Sequence, residues 1–375
     1  VPVTQEAIDR ELARRQLGYG RGGRMKIEQD QAEILSGVRS GLTMGSPISL
    51  RISNRDWARW APVMAPFTPP QAETVTIASD PLLTKVSAAV TTPRPGHADL
   101  SGAFKYGYTD LRNIIERASA RETAARVGVG AFAKLLLAQF RIEVGSFTAR
   151  IGTAGEETIC ALTRAEQERV DQSPVRALNP ELGTAMVHSI EEAKAVGETL
   201  GGLFVVYATG VPPGLGSHVH WDRRLDGQLA QAVLSIPGIK GVEFGTGFNG
   251  ATLVGSELHD AIHYSPEKGW ERAGNQAGGI EGGMSNGQPL VLRAVMKPIP
   301  TLYQGLPSVD LKTKQPRAAG AERSDLTAVP AAGVVAEAMV AWVLASAFLE
   351  KFGGDTLPEL ERAFRSYREG LGAET

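Results

Sequence analysis

The apolar run "AAGVVAEAMVAWVLASAFLEKFGG", Ala331 to Gly354, limits the possible folds more than any other stretch. A helix that is apolar on all sides has to be surrounded, by a protein core or by lipid. Its length approaches a bilayer span, but Glu337 sits inside it. Glu350, Lys351 and a glycine pair end it as a helix stop. The run is read as a buried core helix and not as a membrane span. The chain has 375 residues, 42% of them apolar, enough to bury such a helix.

Other helical segments are marked by caps and spacing. Thr4 precedes "QEAIDRELARRQ", which is expected to end near Gly18. Ser119 with Glu122 fits a capping box opening "SARETAARVGVGAFAKLLLAQF", and Ser189 with Glu192 fits another opening "IEEAKAVGETL". Further helices are expected at about Leu225 to Leu234 and from Leu357 onward. "PISLRIS" and "FRIEVGSFTARIG" alternate as half-buried strands do, and "LFVVYATG" and "PLVLRAVMKP" read as strands. "WARWAPVMAPFTPPQAETV" and "TLYQGLPSVDLKTKQPRAAG" read as long loops. There is no steady βαβ rhythm, no repeat and no linker-like segment. The expectation is a single α+β domain over 1–375 with antiparallel sheets.

Charge excludes a whole-chain polyanion binder: 39 basic against 41 acidic residues leave −2. Any phosphate site must come from local clustering. The single cysteine, Cys160, rules out a disulfide framework and suits a reducing cytoplasm. No basic-then-apolar signal opens the sequence. Four near-motifs fail on context. "GYGRGG" has a helix before it, where a dinucleotide turn needs a strand. "GMSNG" lies between a glycine loop and a strand, unlike a nucleophile elbow. "HDAIH", His259 to His263, and "HVH", His218 to His220, lack a third zinc ligand and the Glu of a zincin.

Four stiffened basic segments remain. Near the start, Arg10, Arg14, Arg15, Arg21, Arg24 and Lys26 flank a glycine loop that can fold into an anion pocket. "PRPGHAD", Pro93 to Asp99, fixes Arg94, His97 and Asp99 on one turn. Lys105, Arg112, Arg117 and Arg121 follow, with Ser119 at an expected helix N-terminus, a position suited to anions. A histidine beside bound anions titrates near neutrality and can donate a proton. In "NQAGGIEGGMSNGQPLVLRAVMKPIPT", five glycines can let backbone approach a ligand, and Lys297 ends the strand. "ERSDLTAVP" brings Arg323 and Asp325 to the start of the core helix. Together they suggest a site for more than one anionic ligand.

In order from Arg14 to Val340, the motifs "RRQLGYGRGGRMKIE", "RPGHADLSGAFKYG", "ERASARETAARV", "GLGSHVHWDRRLDG", "NQAGGIEGGMSNGQPLVLRAVMKP" and "RSDLTAVPA" with "EAMV" strongly resemble the chorismate synthase family. The resemblance implies a β–α–β sandwich of antiparallel sheets around a helical core, in a cytoplasmic homotetramer. It implies a lyase of the shikimate pathway, which makes aromatic amino acid precursors. That lyase turns 5-enolpyruvylshikimate 3-phosphate into chorismate and phosphate by anti-1,4-elimination. Reduced FMN is required without net redox. NADPH is a source of reducing equivalents in members that reduce their own flavin, and a separate flavin reductase serves others. Neither nucleic acid, membrane nor metal is implied.

By the same resemblance, Arg15 and Arg21 match arginines assigned to substrate phosphate or to NADPH, with Arg94 grouped alongside them. Arg117, Ala118, Ser119, Gly282, Lys297, Pro298, Ile299, Pro300, Thr301 and Arg323 match flavin contacts. His97 matches the histidine proposed to protonate the flavin near N1. Asp325, helped by Ser119, matches an aspartate proposed near N5. Pro237 and Gly238 stand where the family has Gln-Ala or Asn-Ala, leaving the Gly238 backbone as the flavin contact. Leu326 and Thr327 follow Asp325 where some relatives carry His and Cys. The family opens with a Gly-Glu-Ser-His-Gly strand that aligns before Val1. About two dozen residues separate the two starts, so a chain beginning at Val1 is expected to turn over weakly until they are restored. Two competing readings stay open: a nicotinamide-dependent flavin reductase, and a non-catalytic anion or RNA binder on the basic loops.

Overall fold

A computed structural model describes residues 1–22, 29–55, 57–67, 89–267, 269–320 and 325–371. The elements that position the site are, in chain order, α1 (Gln5–Gln16), β1 (Ala32–Ser36), β2 (Ser49–Ile52), α2 (Asp99–Tyr106), α3 (Arg112–Arg117) and α4 (Thr123–Ala138). They continue with β3 (Glu143–Ile151), β4 (Ala154–Gly155), α5 (Arg164–Gln172), α6 (Pro180–Ala195), β5 (Gly202–Thr209) and α7 (Leu225–Leu234). The last are β6 (Ile239–Phe244), β7 (Leu290–Met296), α8 (Val329–Phe352) and α9 (Leu357–Gly370).

Helix α8 is the apolar run, and it is a core helix: 72% of its most apolar stretch is buried. One side packs on a five-stranded antiparallel sheet in the order β4-β3-β5-β7-β6. The other side packs on α4 and α1, with α7 alongside. Beyond α4 lies the antiparallel pair β1–β2, whose Leu50 and Ile52 rest against Gly128. The layering is therefore sheet, helices, sheet, as the sandwich expectation requires. Close approach is set by missing side chains: a Cβ on Gly130 of α4 would lie 2.4 Å from the Ala338 Cβ of α8.

The observed elements refine the local expectations. Thr4 caps α1, accepting from the Ala7 N–H. Ser119 caps only a single 3-10 turn, Ala120–Glu122, and α4 follows it. Glu122 pairs with Arg126 and closes no capping box with Ser119. Ser189 opens no helix. It lies inside α6, which starts nine residues earlier under the Asn179 side chain and Pro180. The first of the two long loops contains a helix, Trp57–Met64, and the second contains an antiparallel hairpin, Pro307–Val309 with Pro316–Ala318.

Strand β3 is not half-buried. Its Phe147 and Ala149 join Val205, Tyr207 and Val291 under Leu162 and Val170 of the α5 region. Its Ser146 and Thr148 face inward too, at 0% and 1% exposure. The polar positions of the alternation thus point into the core because Ser146 has a partner there. That partner is Glu337 of α8, fully buried, which accepts from Ser146 Oγ at 2.6 Å.

Glu337 organises a neutral cluster of three carboxylates and three cations. Arg14 of α1 grips it with two bonds of 2.7 and 2.9 Å. Lys134 of α4 and Arg176 also reach it, at 2.5 and 3.1 Å. Glu11 accepts from Arg14 and Lys134, and Asp171 accepts from Arg14 and Arg176. Burial pushes the Glu337 carboxyl upward, but the charges of Arg14, Lys134 and Arg176 outweigh it. They hold its pKa well below the usual carboxylate range. Removing one member leaves the others buried and uncompensated. Glu337→Ala is expected to cost about 3–5 kcal/mol in urea unfolding. Glu168→Ala, at the exposed Arg164–Glu168 pair, should stay within about 1 kcal/mol. A depressed folded-state pKa means stability that is complete above the unfolded value of about 4.3 and lost as pH falls below it. Wild-type stability should therefore drop steeply below about pH 4, and the Glu337→Gln variant should show a shallower acid slope. Parallel slopes would contradict the cluster's role.

Candidate active site

Arg14 and Arg15 are neighbours on α1 and point opposite ways. Arg14 enters the Glu337 cluster, so it does not belong to the anion pocket expected for the N-terminal cations. Arg15 lines a cavity of about 650 Å³ at the N-terminal end of α8. Its guanidinium donates to Thr123 Oγ1 at 3.2 Å and lies 3.6 Å from Asp30. Asp30 also holds Arg121, at 2.6 Å.

The glycine loop after α1 closes one side of the cavity. Asp325 ties it down, accepting from the Gly22 N–H at 2.6 Å and forming an ion pair with Arg21, whose Nε lies 2.9 Å away. The Leu326 N–H donates to the Gly20 carbonyl at 2.7 Å. A second cleft, about 770 Å³, lies on the loop's far side, lined by Tyr19, Glu191, Lys194 and Gln304, and shares Arg21 and Gly22 with the first. Arg24, Lys26 and Arg323 lie outside the described residues.

The turn "PRPGHAD" forms the opposite wall. Gly96 adopts φ 74°, a left-handed conformation that suits glycine. The 307–318 hairpin buttresses the turn: Ser308 Oγ donates to the Pro93 carbonyl at 2.6 Å, and Thr91 bonds Asp310. Asp99, at 0% exposure, is the hub. It accepts from the Arg94 N–H at 3.0 Å and Arg94 Nε at 2.9 Å, and it meets His97 Nδ1 at 2.5 Å. Burial pushes the Asp99 carboxyl up, but hydrogen bonds from His97 and Arg94 hold it well below the ordinary range, as a carboxylate. Lys297, just past β7, bonds the Gly96 carbonyl. Burial and the neighbouring Lys240 lower its pKa.

The remaining walls come from the turn after α3, the α7–β6 connection and the segment after β7. Ala118, Ser119, Gly238, Pro298, Ile299, Pro300 and Thr301 all line the cavity. Ile236, Ile239 and Met296, with Ala331, Ala332 and Val335 of α8, make an apolar wall facing the cations. Of the expected site residues, Arg15, Arg21, Arg94, His97, Ala118, Ser119, Gly238, the run 297–301 and Asp325 therefore share one cavity. Arg117 is exposed and outside the lining, and so is Gly282, in the turn between Ile280–Glu281 and Met284–Ser285.

Two glycines of the loop 278–287, Gly278 and Gly279, serve the protein's own packing. A Cβ on Gly278 would lie 2.3 Å from the Gly245 nitrogen, and one on Gly279 would lie 2.6 Å from the Pro289 carbonyl oxygen. Ser285 is no nucleophile: buried, it donates to the Pro212 carbonyl and accepts from the Leu215 N–H. Among the described residues no group of three or more His, Cys, Asp or Glu is arranged to hold a metal ion. Asp30, Lys240 and the hub role of Asp99 went unassigned in the sequence, whereas Arg121 was among the basic residues singled out after the turn. Asp30 and Lys240 carry no local signal, whereas Asp99 sits in the turn already singled out.

Comparison with known proteins identifies the family. The family model described as chorismate synthase matches residues 1–349. The chorismate synthase of Moorella thermoacetica is 57% identical over 371 residues, covering 99% of this chain and 93% of that protein. That of Symbiobacterium thermophilum is 54% identical over 372 residues, with the same coverage. A solved structure titled as a crystal structure of chorismate synthase superposes with a TM-score of 0.75 at 43% identity, covering 99% of this chain and 90% of that one. A family model spanning most of the sequence, relatives above half identity and a matching fold show that the chain belongs to the chorismate synthase family of lyases.

Proposed function

We propose that the 650 Å³ cavity binds reduced FMN together with 5-enolpyruvylshikimate 3-phosphate and releases chorismate and phosphate by anti-1,4-elimination. The observation that carries this is the cavity's composition. Among the described residues Arg15, Arg21, Arg94, Arg121, Lys240 and Lys297 line it, with Asp325 the one carboxylate of the lining and Asp30 and Asp99 behind Arg15, Arg121 and Arg94. Two phosphates and two carboxylates on the ligands would balance such a surplus, and guanidinium forks suit both groups. The apolar wall of Ile236, Ile239, Met296 and α8 suits a flat ring system. The donor set therefore fits a flavin beside an anionic substrate.

Ala118, Ser119, Gly238 and the run 297–301 would hold the flavin, with Arg117, Gly282 and Arg323 added by family resemblance. Arg15, Arg21 and Arg94 would hold the substrate. When bound, reduced flavin supplies an electron that assists phosphate departure and is returned, so no net redox occurs. The protein's own part is orientation, charge and protons. Arg15 is pre-set by Asp30 and Thr123, and Arg94 by Asp99, so little side-chain entropy is lost when an anion arrives. Lys297, its charge disfavoured by burial and by Lys240, becomes a better cation once an anion sits between them. His97 holds and exchanges a proton. Asp325, fixed by Gly22 and Arg21, accepts a hydrogen-bonded proton on the opposite side.

Anaerobic incubation with reduced FMN and the phosphorylated substrate should give chorismate absorbance and stoichiometric phosphate. Nicotinamide consumption without chorismate would instead favour a flavin reductase. His97→Ala is expected to lower kcat by about 10²–10⁴-fold, and His259→Ala to leave it nearly unchanged. Equal losses would overturn the role of His97. Pyrophosphate, used as a simple probe, should raise the melting temperature more than chloride does at matched ionic strength. Arg21→Ala with Lys297→Met should abolish that difference, and an undiminished shift in the double variant would place the anion site elsewhere.

A further inference from the structure

The contacts of His97 fix more than its position. Its Nδ1 lies 2.5 Å from Asp99 Oδ1. A carboxylate can only accept, so Nδ1 must donate. Arg94 Nη2 lies 3.1 Å from Nδ1 and 3.3 Å from Nε2. Nη2 is therefore nearer the nitrogen that donates to Asp99 and does not claim the Nε2 lone pair; with Nδ1 donating to Asp99, the lone pair of the neutral ring is on Nε2. The Asp99 carboxylate, which can only accept, thus admits a single neutral form of the ring. Asp99 is in turn held by Arg94 through Nε, Nη2 and the backbone N–H. The charged groups around the ring are Arg94 and Asp99 on its own turn, Lys297 bonded to the Gly96 carbonyl, and Arg21 and Asp325 across the cavity.

We propose that Asp99 is a positioning residue: itself held by Arg94, it locks His97 in the tautomer protonated on Nδ1, leaving Nε2 as the nitrogen that exchanges a proton with the cavity. The inference rests on the proton role given to His97 above, but the clamp itself is testable without turnover. Replacing the carboxylate with an amide should invert the ring. Arg94 would keep the amide oxygen of Asp99→Asn, turning its NH₂ toward Nδ1, which must then accept. The proton moves to Nε2, and the nitrogen facing the reaction loses its lone pair. A tautomer error of this kind in a His–Asp pair costs about 10⁴-fold in turnover.

The chain has six histidines, few enough for His97 to be assigned in ¹⁵N spectra of histidine-labelled protein by its loss in His97→Gln. Near pH 8, where an ordinary imidazole is neutral, wild-type His97 should show a protonated Nδ1 and a bare Nε2. Asp99→Asn should show the reverse, with kcat reduced by about 10²–10⁴-fold and KM for the phosphorylated substrate little changed. A wild-type ring protonated on Nε2, or an Asp99→Asn spectrum like the wild type, would overturn the proposal. Should Asp99→Asn fold poorly, the wild-type spectrum alone decides. If the tautomer inverts while turnover is unchanged, the clamp stands and the proton role of His97 falls.

Discussion

One buried carboxylate fixes the register on which the rest is built. Glu337 lies at 0% exposure on an otherwise apolar helix, and it draws α1, α4, β3 and the Arg176 turn onto α8 through directional bonds. Apolar packing alone would tolerate small slides between helices, because it is non-directional. A bidentate Arg14–Glu337 pair does not tolerate them. Since Arg15 follows Arg14 directly, the same pair that holds α1 to the core also aims the next guanidinium into the cavity. Ala331, Ala332 and Val335, within two turns of Glu337, form part of that cavity's wall.

The cavity cations are set up in a related way, with carboxylates behind or beside them. Asp30 backs Arg15 and Arg121, Asp99 backs Arg94 and His97, and Asp325 meets Arg21. Such pairing costs little flexibility later, because the side chains are already ordered before a ligand arrives. Lys297 differs, being bonded to a neutral carbonyl and facing Lys240, so the site keeps a net positive field. The pairs are non-local: Arg94 reaches toward Thr301, Arg15 toward Thr123, and Gly22 toward Asp325. A compact anion site thus arises from loops spread along the chain, each stiffened by proline, glycine or a short hairpin.

Much of this was legible beforehand. The apolar run around Glu337 could only be a core helix, and the turn at Pro93–Asp99 could only present fixed polar groups. What failed did so for physical reasons. Ser146 and Thr148 looked outward because an alternating strand is ordinarily wet on one face; a buried ion cluster reversed that. Arg14 looked like its neighbour Arg15, and only packing separates their fates. Ser189 resembled a cap, but Asn179 and Pro180 had already started that helix. Gly278 and Gly279, read as places of ligand approach, are set against the backbone of Gly245 and Pro289, while Gly282 stays open. Asp30 carries no local pattern at all, since its partners lie far along the chain.

The proposed flavin and the phosphorylated substrate have one common requirement, a shared cavity reached by Arg15, Arg21, Arg94, His97, Lys297 and Asp325. A crystal structure of the protein with both ligands bound tests this most directly. Both are expected inside the 650 Å³ cavity, with their phosphates on the arginine and lysine side chains and His97 within hydrogen-bond reach of a ligand. Either ligand seated elsewhere, or a filled cavity in which His97 and Asp325 touch neither molecule, would contradict it.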